Sequence, residues 1–222
     1  MSVTIKMVNK DASNSSGVRP DFLYKNILDQ ERYISVLRYV NNKSVLDCAC
    51  GVGWGSYIMT KSGAKSVVGV DLSASAIKTA TKYYNSQSVR YIQNDINQMD
   101  NEELFDVITS FETLEHVDDP LRFLRTLRSL SHSQSMLFLS TPNGFCFKHE
   151  GDRPYNPYHL EEYQKDELIK MFQLSGWIVE EYLGQYPIKE GSKEVIEYRD
   201  FIYNFWIDKV RSKKFGFVYS VG

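Results

Sequence analysis

At 222 residues, the chain has the length of one domain with room for a cap. Its formal net charge of −2 argues against nucleic acid as a partner. The sequence lacks an apolar run of about 18 residues, and its first residues lack a signal-peptide core, so we expect no membrane span. The three cysteines, Cys48, Cys50 and Cys146, are an odd number that favours a reducing cytoplasm over a disulfide framework.

Strand and helix patterns then alternate along the chain. Residues 1–17 are polar and are expected to be mobile, and residues 21–40 have apolar side chains at helical spacing. Ser73 is a predicted helix N-cap, and Gly176 is a predicted helix end. The predicted strands are 44–50, 66–72, 89–95, 105–112, 135–143, 177–184 and 215–221, and the predicted helices are 54–62, 73–85, 119–131, 165–176 and 194–210.

Near-continuous apolar strands that alternate with helices are typical of a parallel sheet covered on both faces. We therefore predict an α/β, Rossmann-like fold with a seven-stranded, mostly parallel sheet, helices on both faces and an aromatic-rich cap. Residues 1–40 are expected to form an N-terminal helical cap with a mobile start, and residues 41–222 the main domain. Within that domain, residues 143–163 and 186–212 are predicted to be cap insertions that lie over the acceptor site. Such sheets bind ligands beyond the carboxyl ends of their strands.

A glycine-rich stretch, Gly51–Gly55, follows the first strand and indicates a nucleotide site. Its G-x-G-x-G spacing lacks the lysine of a phosphate-binding P-loop and differs from the G-x-G-x-x-G dinucleotide fingerprint. Asp71 ends the second strand, where its carboxylate can accept both ribose hydroxyls, and Asp95 follows the third strand, where it can accept from an adenine amino group. These residues fit an adenosine without phosphates. S-adenosylmethionine is such a molecule, and its sulfonium cation suits an acidic pocket that includes Asp47.

The chain resembles the class I S-adenosylmethionine-dependent methyltransferases over about residues 40–185, in four motifs that occur in the family's order: "VLDCACGVGWGS", "VVGVDLS", "QNDI" and "FDVITSFETLEHVDDP". It further resembles a bacterial branch associated with surface-glycan and sugar methylation, in "ERYISVLRYV", "STPNG" and "NPYHLEEYQKDEL". Val52 departs from the glutamate that this branch usually carries. The resemblance implies the class I fold and a cofactor site formed by Asp47, Ala49, Gly51, Gly53, Asp71, Leu72, Asp95, Ile96 and Phe111.

Two histidines are candidates for removing a proton from an acceptor hydroxyl, because an imidazole suits a base at neutral pH. His116 follows the fourth strand, and His159 lies in the 143–163 insertion. We predict that His159 is the base, with His116 and positioning alone as the alternatives. Glu112, Glu115, His116 and His159 could instead hold magnesium, manganese or zinc. This arrangement resembles that of small-RNA 3′-end 2′-O-methyltransferases, which use a metal and carry a further histidine, so a divalent metal is not favoured.

The sequence thus predicts a cytoplasmic O-methyltransferase that transfers a methyl group to a hydroxyl of a sugar, sugar nucleotide or glycan intermediate. An O-methyltransferase of a small aromatic or quinone-precursor substrate is the first alternative, and an RNA 2′-O-methyltransferase is a second that the charge does not favour. A cofactor-binding regulatory subunit is the non-enzymatic alternative, against which both histidines argue. The expected partner is a small-molecule or glycan acceptor, and the oligomeric state is left open.

Overall fold

The computed structural model of the chain describes residues 27–99, 103–142, 154 and 158–182. Five strands and five α-helices occur along these residues. The strands are β1 (Ser44–Cys48), β2 (Ser66–Asp71), β3 (Val89–Gln93), β4 (Phe105–Phe111) and β5 (Ser131–Ser140). The helices are α1 (Ile27–Val36), α2 (Trp54–Lys61), α3 (Ala74–Tyr83), α4 (Pro120–Ser129) and α5 (Lys165–Leu174), and short 3₁₀-helices span Leu37–Tyr39, Ile96–Gln98 and Leu114–His116.

The five strands run parallel in one sheet with the order β3-β2-β1-β4-β5. β1 lies at the centre, where Leu46 pairs with Val68 of β2 on one side and with Ile108 of β4 on the other. All three side chains are buried, as expected for the inner strands of a parallel sheet. The predicted Rossmann-like parallel sheet is thus confirmed. The strand order reverses between β1 and β4, so their carboxyl ends border the crevice where such sheets bind ligands.

The main core joins the centre of the sheet to α4 and α5. Phe123, Leu124 and Leu127 of α4 are fully buried in a cluster that includes Leu46 and Phe105. Burying a side chain of this size stabilises the fold by about 1.5–3 kcal/mol. This packing fixes β1 and β4 relative to each other, and with them the chain segments that follow their carboxyl ends.

Several helix ends follow their predicted signals. The Ser73 hydroxyl accepts a hydrogen bond from the Ala76 amide at 3.3 Å and caps α3 as predicted. Pro120 lies in the first turn of α4, where its missing N–H costs nothing. Gly176 follows α5 with a φ of +83°, a backbone conformation that glycine adopts without strain.

The described residues contain five strands rather than the predicted seven. The predicted strand 177–184 is wrong in its described part, because residues 177–182 form no strand. Trp177 instead docks on α4, where its Nε1 donates to the Leu124 carbonyl at 3.1 Å, and Ile178 is 88% exposed. Side-chain contacts, rather than strand hydrogen bonds, therefore hold the start of this segment.

Other predicted elements lie outside the described residues, namely the mobile start at 1–17, the helix 194–210, the strand 215–221 and the insertion 186–212. The division at residue 40 and the two cap insertions stay predictions. Among the residues that the structure describes, no helix combines the length and the apolar character needed to cross a membrane.

Candidate active site

The glycine-rich loop connects β1 to α2 at the carboxyl edge of the sheet. Three of its residues have positive φ, namely Ala49 at +57°, Gly51 at +55° and Gly53 at +85°. The Asp71 carboxylate at the end of β2 fixes the loop, because it accepts from the Gly51 amide and from the Ser73 amide, each at 2.8 Å. A hydrogen bond from each N–H to a charged acceptor is stronger than a neutral one. One acid thus holds both the loop and the entry into α3.

The glycines of this loop serve two different purposes. A Cβ on Gly53 would lie 2.5 Å from Ala80 Cβ, and a Cβ on Gly55 would lie 2.1 Å from the Tyr33 ring. Gly53 therefore allows α3 to pack closely against the loop, and Gly55, in the first turn of α2, allows α1 to pack closely against that helix. At Gly51, no described atom lies within 4 Å of an ideal Cβ. The backbone at Gly51 consequently faces open space, as a loop that admits a ligand should.

Asp47 lies inside the fold rather than at a surface. Its carboxylate is fully buried and accepts from three hydroxyls, those of Tyr33 at 3.0 Å, Thr109 at 2.8 Å and Ser56 at 2.6 Å. Burial raises its pKa from 3.8 to about 6, although the three hydrogen bonds act in the opposite direction. Asp47 therefore joins α1, α2 and β4 beneath the glycine-rich loop, and its predicted contact with the cofactor stays a prediction.

The other predicted cofactor residues lie at the same edge of the sheet. Ala49 and Leu72 are exposed, with Leu72 at 71%. Asp95 caps the 3₁₀-helix Ile96–Gln98 by accepting from the Asn97 amide at 2.9 Å, and Phe111 is half-buried at the end of β4. An exposed leucine next to Asp71 in the chain, with no basic residue in the loop, fits an adenosine moiety that lacks phosphates. Cofactor contacts of these residues stay predictions.

Tyr33 of α1 was missed by the sequence analysis as a residue of this site. Its ring packs edge-on against Phe111 and Trp54, with ring centroids 4.9 Å and 5.9 Å away. Its hydroxyl donates to Asp47. The motif "ERYISVLRYV" contains this residue, but nothing in its spacing indicates that the tyrosine would pack beside the glycine-rich loop and bind Asp47.

Glu112, a predicted metal ligand, lies away from the other three. It follows β4 with a φ of +51°, and its Oε1 lies 3.2 Å from Nη2 of Arg32 and accepts from the Ser140 hydroxyl at 2.9 Å. The Arg32 and Glu112 side chains are both buried. Glu112 therefore joins α1 to the carboxyl ends of β4 and β5, and the structure does not bring it to the histidines.

Glu115, His116 and His159 do come together, and we call them the His–His–Glu group. One ligand atom from each lies within 4.8 Å of the other two, and the two imidazole rings are edge-on with centroids 4.9 Å apart. Glu115 is fully buried, His159 is 6% exposed and His116 is half-buried. The Leu160 amide donates to the Glu115 carbonyl at 2.8 Å, which attaches the His159 segment to the 3₁₀-helix after β4.

Hydrogen bonds orient Glu115 and His116 of the His–His–Glu group. Thr141 Oγ1 donates to Glu115 Oε2 at 3.0 Å, and Nδ1 of His116 lies 2.8 Å from the Tyr158 carbonyl. A carbonyl only accepts, so Nδ1 of His116 carries a proton, and Nε2 of the same ring lies 3.8 Å from Oε1 of Glu115. A histidine whose ring is held by such a hydrogen bond suits the role of a base or of a metal ligand. Thr141 was not a sequence candidate, because only the pairing of β4 and β5 places it beside Glu115.

Comparisons with known proteins define the class. A family model described as a methyltransferase domain matches residues 29–182, and the chain belongs to this methyltransferase family. The curated "Probable S-adenosylmethionine-dependent methyltransferase" of Mycobacterium tuberculosis is 28% identical over 137 residues, which are 61% of this chain and 49% of that protein. The mitochondrial ubiquinone biosynthesis O-methyltransferase of Candida albicans is 30% identical over 178 residues, 77% of this chain and 52% of that protein.

A solved structure supports the same fold. The S-adenosylmethionine-dependent methyltransferase from Mesorhizobium loti superposes with a TM-score of 0.55 at 22% identity, over 69% of this chain and 84% of that one. The family model and the curated relatives confirm the predicted methyltransferase class, and the relatives agree with S-adenosylmethionine as the predicted cofactor. The chain spans about half the length of the curated relatives it matches. Their names do not support the predicted sugar-methylating branch.

Proposed function

We propose that the protein is an S-adenosylmethionine-dependent O-methyltransferase in which the His–His–Glu group activates an acceptor hydroxyl. The observation that carries this proposal is the pair of oriented imidazoles beside a buried carboxylate, after β4 at the carboxyl edge of the sheet. An arrangement of this kind takes up a proton or a cation, and a hydroxyl acceptor has a proton to lose. A cofactor-binding regulatory subunit would have no use for it.

The glycine-rich loop and the acids at the strand ends hold the cofactor in this proposal. When bound, S-adenosylmethionine supplies a methyl group already activated by the sulfonium. Asp71 would accept from the ribose hydroxyls with the acceptor capacity left on its oxygens, and Asp95 and Leu72 would hold the adenine. The chain's main contribution is positioning, which can supply roughly 7–11 kcal/mol in reactions between two bound partners.

His159 is the proposed base, and His116 is the alternative. The proton leaves the acceptor oxygen and binds to the imidazole nitrogen that carries the lone pair, and the oxygen keeps the electron pair with which it attacks the methyl carbon. The methyl–sulfur bond would break at the same time, with its electron pair left on the sulfur of S-adenosylhomocysteine. The low exposure of His159 supports this role, because a buried base is shielded from water that would compete for its proton.

A divalent cation held by Glu115, His116 and His159 is the second version of the proposal. Their ligand atoms lie within 4.8 Å of one another, and atoms that share one ion at about 2.0–2.6 Å from it can be at most about 4.0–5.2 Å apart. The contacts of Nδ1 of His116 with the Tyr158 carbonyl and of Nδ1 of His159 with Glu162 Oε1 are also typical of metal-ligating histidines. A bound cation would lower the pKa of an acceptor hydroxyl and replace the base.

The acceptor is proposed at two levels. Its reacting group is a hydroxyl on a small molecule, and a sugar, sugar nucleotide or glycan intermediate is supported by the sequence resemblance. A phenolic hydroxyl of a quinone precursor is the second candidate, which the Candida albicans relative favours through its name. An RNA acceptor is not proposed, since the chain has a net charge of −2. A cytoplasmic location is proposed on the free, buried Cys48 and Cys50.

Single-turnover kinetics on a panel of sugar nucleotides and dihydroxylated aromatics test this proposal. His159→Ala should lower the rate by about 10²–10⁴-fold, the usual contribution of a general base, and leave S-adenosylhomocysteine affinity nearly unchanged. His116→Ala should have a smaller effect. His132→Ala is the matched control, because His132 lies at the opposite, amino end of β5 and pairs with Asp106.

Two outcomes separate the versions of the proposal. Full activity after exhaustive chelation supports His159 as the bare base, and loss with recovery on adding magnesium, manganese or zinc supports the cation. If His159→Ala keeps more than about a tenth of the wild-type rate, His159 is not the base. If neither histidine variant changes the rate on the acceptor that the wild type methylates, the His–His–Glu group has no part in the reaction.

A further inference from the structure

His159 has a second partner that lies outside the His–His–Glu group. Its Nδ1 lies 2.7 Å from Oε1 of Glu162, and both side chains are only 2% exposed. The pair lies on the segment that leads into α5, which also carries the exposed Leu160 and the buried Tyr163. Neighbouring Glu161 is exposed. Two adjacent glutamates thus occupy opposite environments, and only one of them faces the histidine.

Burying a carboxylate is costly unless a partner compensates for the lost hydration. An apolar residue at position 162 would fill the same space without that cost, so stability alone does not explain a glutamate there. A short hydrogen bond to a ring nitrogen does explain it. The carboxylate can only accept when ionised, so the hydrogen between the two atoms belongs to Nδ1 of His159.

We propose that Glu162 is a positioning residue that holds His159 in the Nδ1–H tautomer, so that its Nε2 keeps the lone pair used on the acceptor. This inference rests on the proposed function, but it is the same whether Nε2 receives a proton or binds a cation. His116 is held in the same tautomer by the Tyr158 carbonyl. Glu162 and Tyr158 therefore favour the same tautomer in both imidazoles, with the proton on Nδ1 and the lone pair on Nε2.

A fixed tautomer has a direct consequence for the rate. A neutral imidazole with the proton on Nε2 offers its lone pair at Nδ1, which is already next to Glu162. Such a ring can neither take the acceptor proton at Nε2 nor ligate through it. Partners that orient a functional histidine typically change activity or metal affinity by about 10- to 100-fold. The loss of Glu162 should therefore reduce turnover without lowering the affinity for the cofactor.

The test compares Glu162→Gln with Glu161→Gln in the full chain. Nitrogen NMR of ring-labelled histidine, with the His159 signal assigned from a His159→Gln sample, reports the tautomer directly. We expect wild type and Glu161→Gln to show Nδ1–H at His159, and Glu162→Gln to show a mixture, since an amide can either accept or donate. The kcat of Glu162→Gln should fall about 10- to 100-fold. Glu162→Asp, which keeps the carboxylate, should recover part of both properties.

Calorimetry with S-adenosylhomocysteine and the melting temperature separate positioning from a merely structural role. Unchanged cofactor affinity together with a lower kcat supports the inference. A parallel loss of kcat, affinity and melting temperature would show that Glu162 only stabilises the segment, and a wild-type tautomer and kcat in Glu162→Gln would equally overturn the inference. If wild type methylates no hydroxyl acceptor, the proposed function fails, while an altered tautomer in Glu162→Gln still supports the assignment of Glu162 to His159.

Discussion

Asp47 shows how a single buried acid supports the loop above it. Three hydroxyls from α1, α2 and β4 surround its carboxylate, and burial nevertheless raises its pKa to about 6. The hydrogen bonds therefore offset only part of the cost of removing the charge from water. A neutral Asp47 is favoured in the folded protein below about pH 6, whereas the unfolded chain ionises it near its ordinary value of 3.8.

The sign of this effect on stability follows from proton binding. Between the ordinary pKa and about 6, the folded state binds more protons than the unfolded state, so Asp47 makes the protein less stable as the pH rises. The difference of about two pKa units corresponds to about 3 kcal/mol, fully lost above pH 6. In Asp47→Asn this loss should be absent.

Urea unfolding of the wild type and of Asp47→Asn between about pH 4 and pH 7 measures this loss of stability. The free energy of unfolding of Asp47→Asn, relative to wild type, should rise by about 2–3 kcal/mol across this range. Asp118→Asn, which removes an exposed carboxylate, is the control and should run parallel to wild type. Parallel curves for Asp47→Asn would contradict the raised pKa.

Helix α1 contributes to the site through two consecutive side chains. Arg32 pairs with Glu112 after β4, and Tyr33 donates to Asp47 while its ring contacts the glycine-rich loop. The helix thus connects the cofactor side of the crevice to the segment that leads to the His–His–Glu group. We expect its docking to be sensitive to the buried Arg32–Glu112 ion pair, because a buried charge that loses its partner is costly.

A double-mutant cycle tests this ion pair. Arg32→Met and Glu112→Gln should each lower the free energy of unfolding by about 3 kcal/mol, and the double variant should lose less than the sum by about 1–3 kcal/mol. Urea unfolding gives the four values. The pair Arg90–Glu103, whose side chains are 57% and 39% exposed, is the matched surface control, and its coupling should stay below about 1 kcal/mol. Equal coupling in both pairs would mean that burial of the Arg32–Glu112 pair adds nothing.

The whole molecule was predictable from sequence where local patterns decide the outcome. Periodicity indicated β1 to β5, and parallel strands necessarily carry Gly51, Asp71, Asp95 and the residues after β4 to one edge. The start of the predicted sixth strand failed because Trp177 binds to α4, a tertiary contact that local apolar pattern does not encode. Its apolar run also includes the exposed Ile178.

Long-range partners limited the prediction of the site. His116 and His159 were both candidates, but their contact depends on how the segment before α5 crosses the end of β4. Glu112 was grouped with them for its carboxylate and for the resemblance to metal-dependent RNA methyltransferases, whereas the structure shows it with a positive φ and in an ion pair with Arg32. Glu162 had a signal in its position three residues after His159, but only burial of both side chains distinguishes it from Glu161.

Methyl transfer to oxygen is the central claim, and the fate of a labelled methyl group tests it most directly. The full chain is incubated with methyl-labelled S-adenosylmethionine and the acceptor panel, and mass spectrometry locates the label. The account predicts a labelled methyl ether, formed much more slowly by His159→Ala and formed by Asp71→Ala only at higher cofactor concentration. Label on nitrogen or carbon, or tight cofactor binding without transfer to any hydroxyl acceptor, would contradict it.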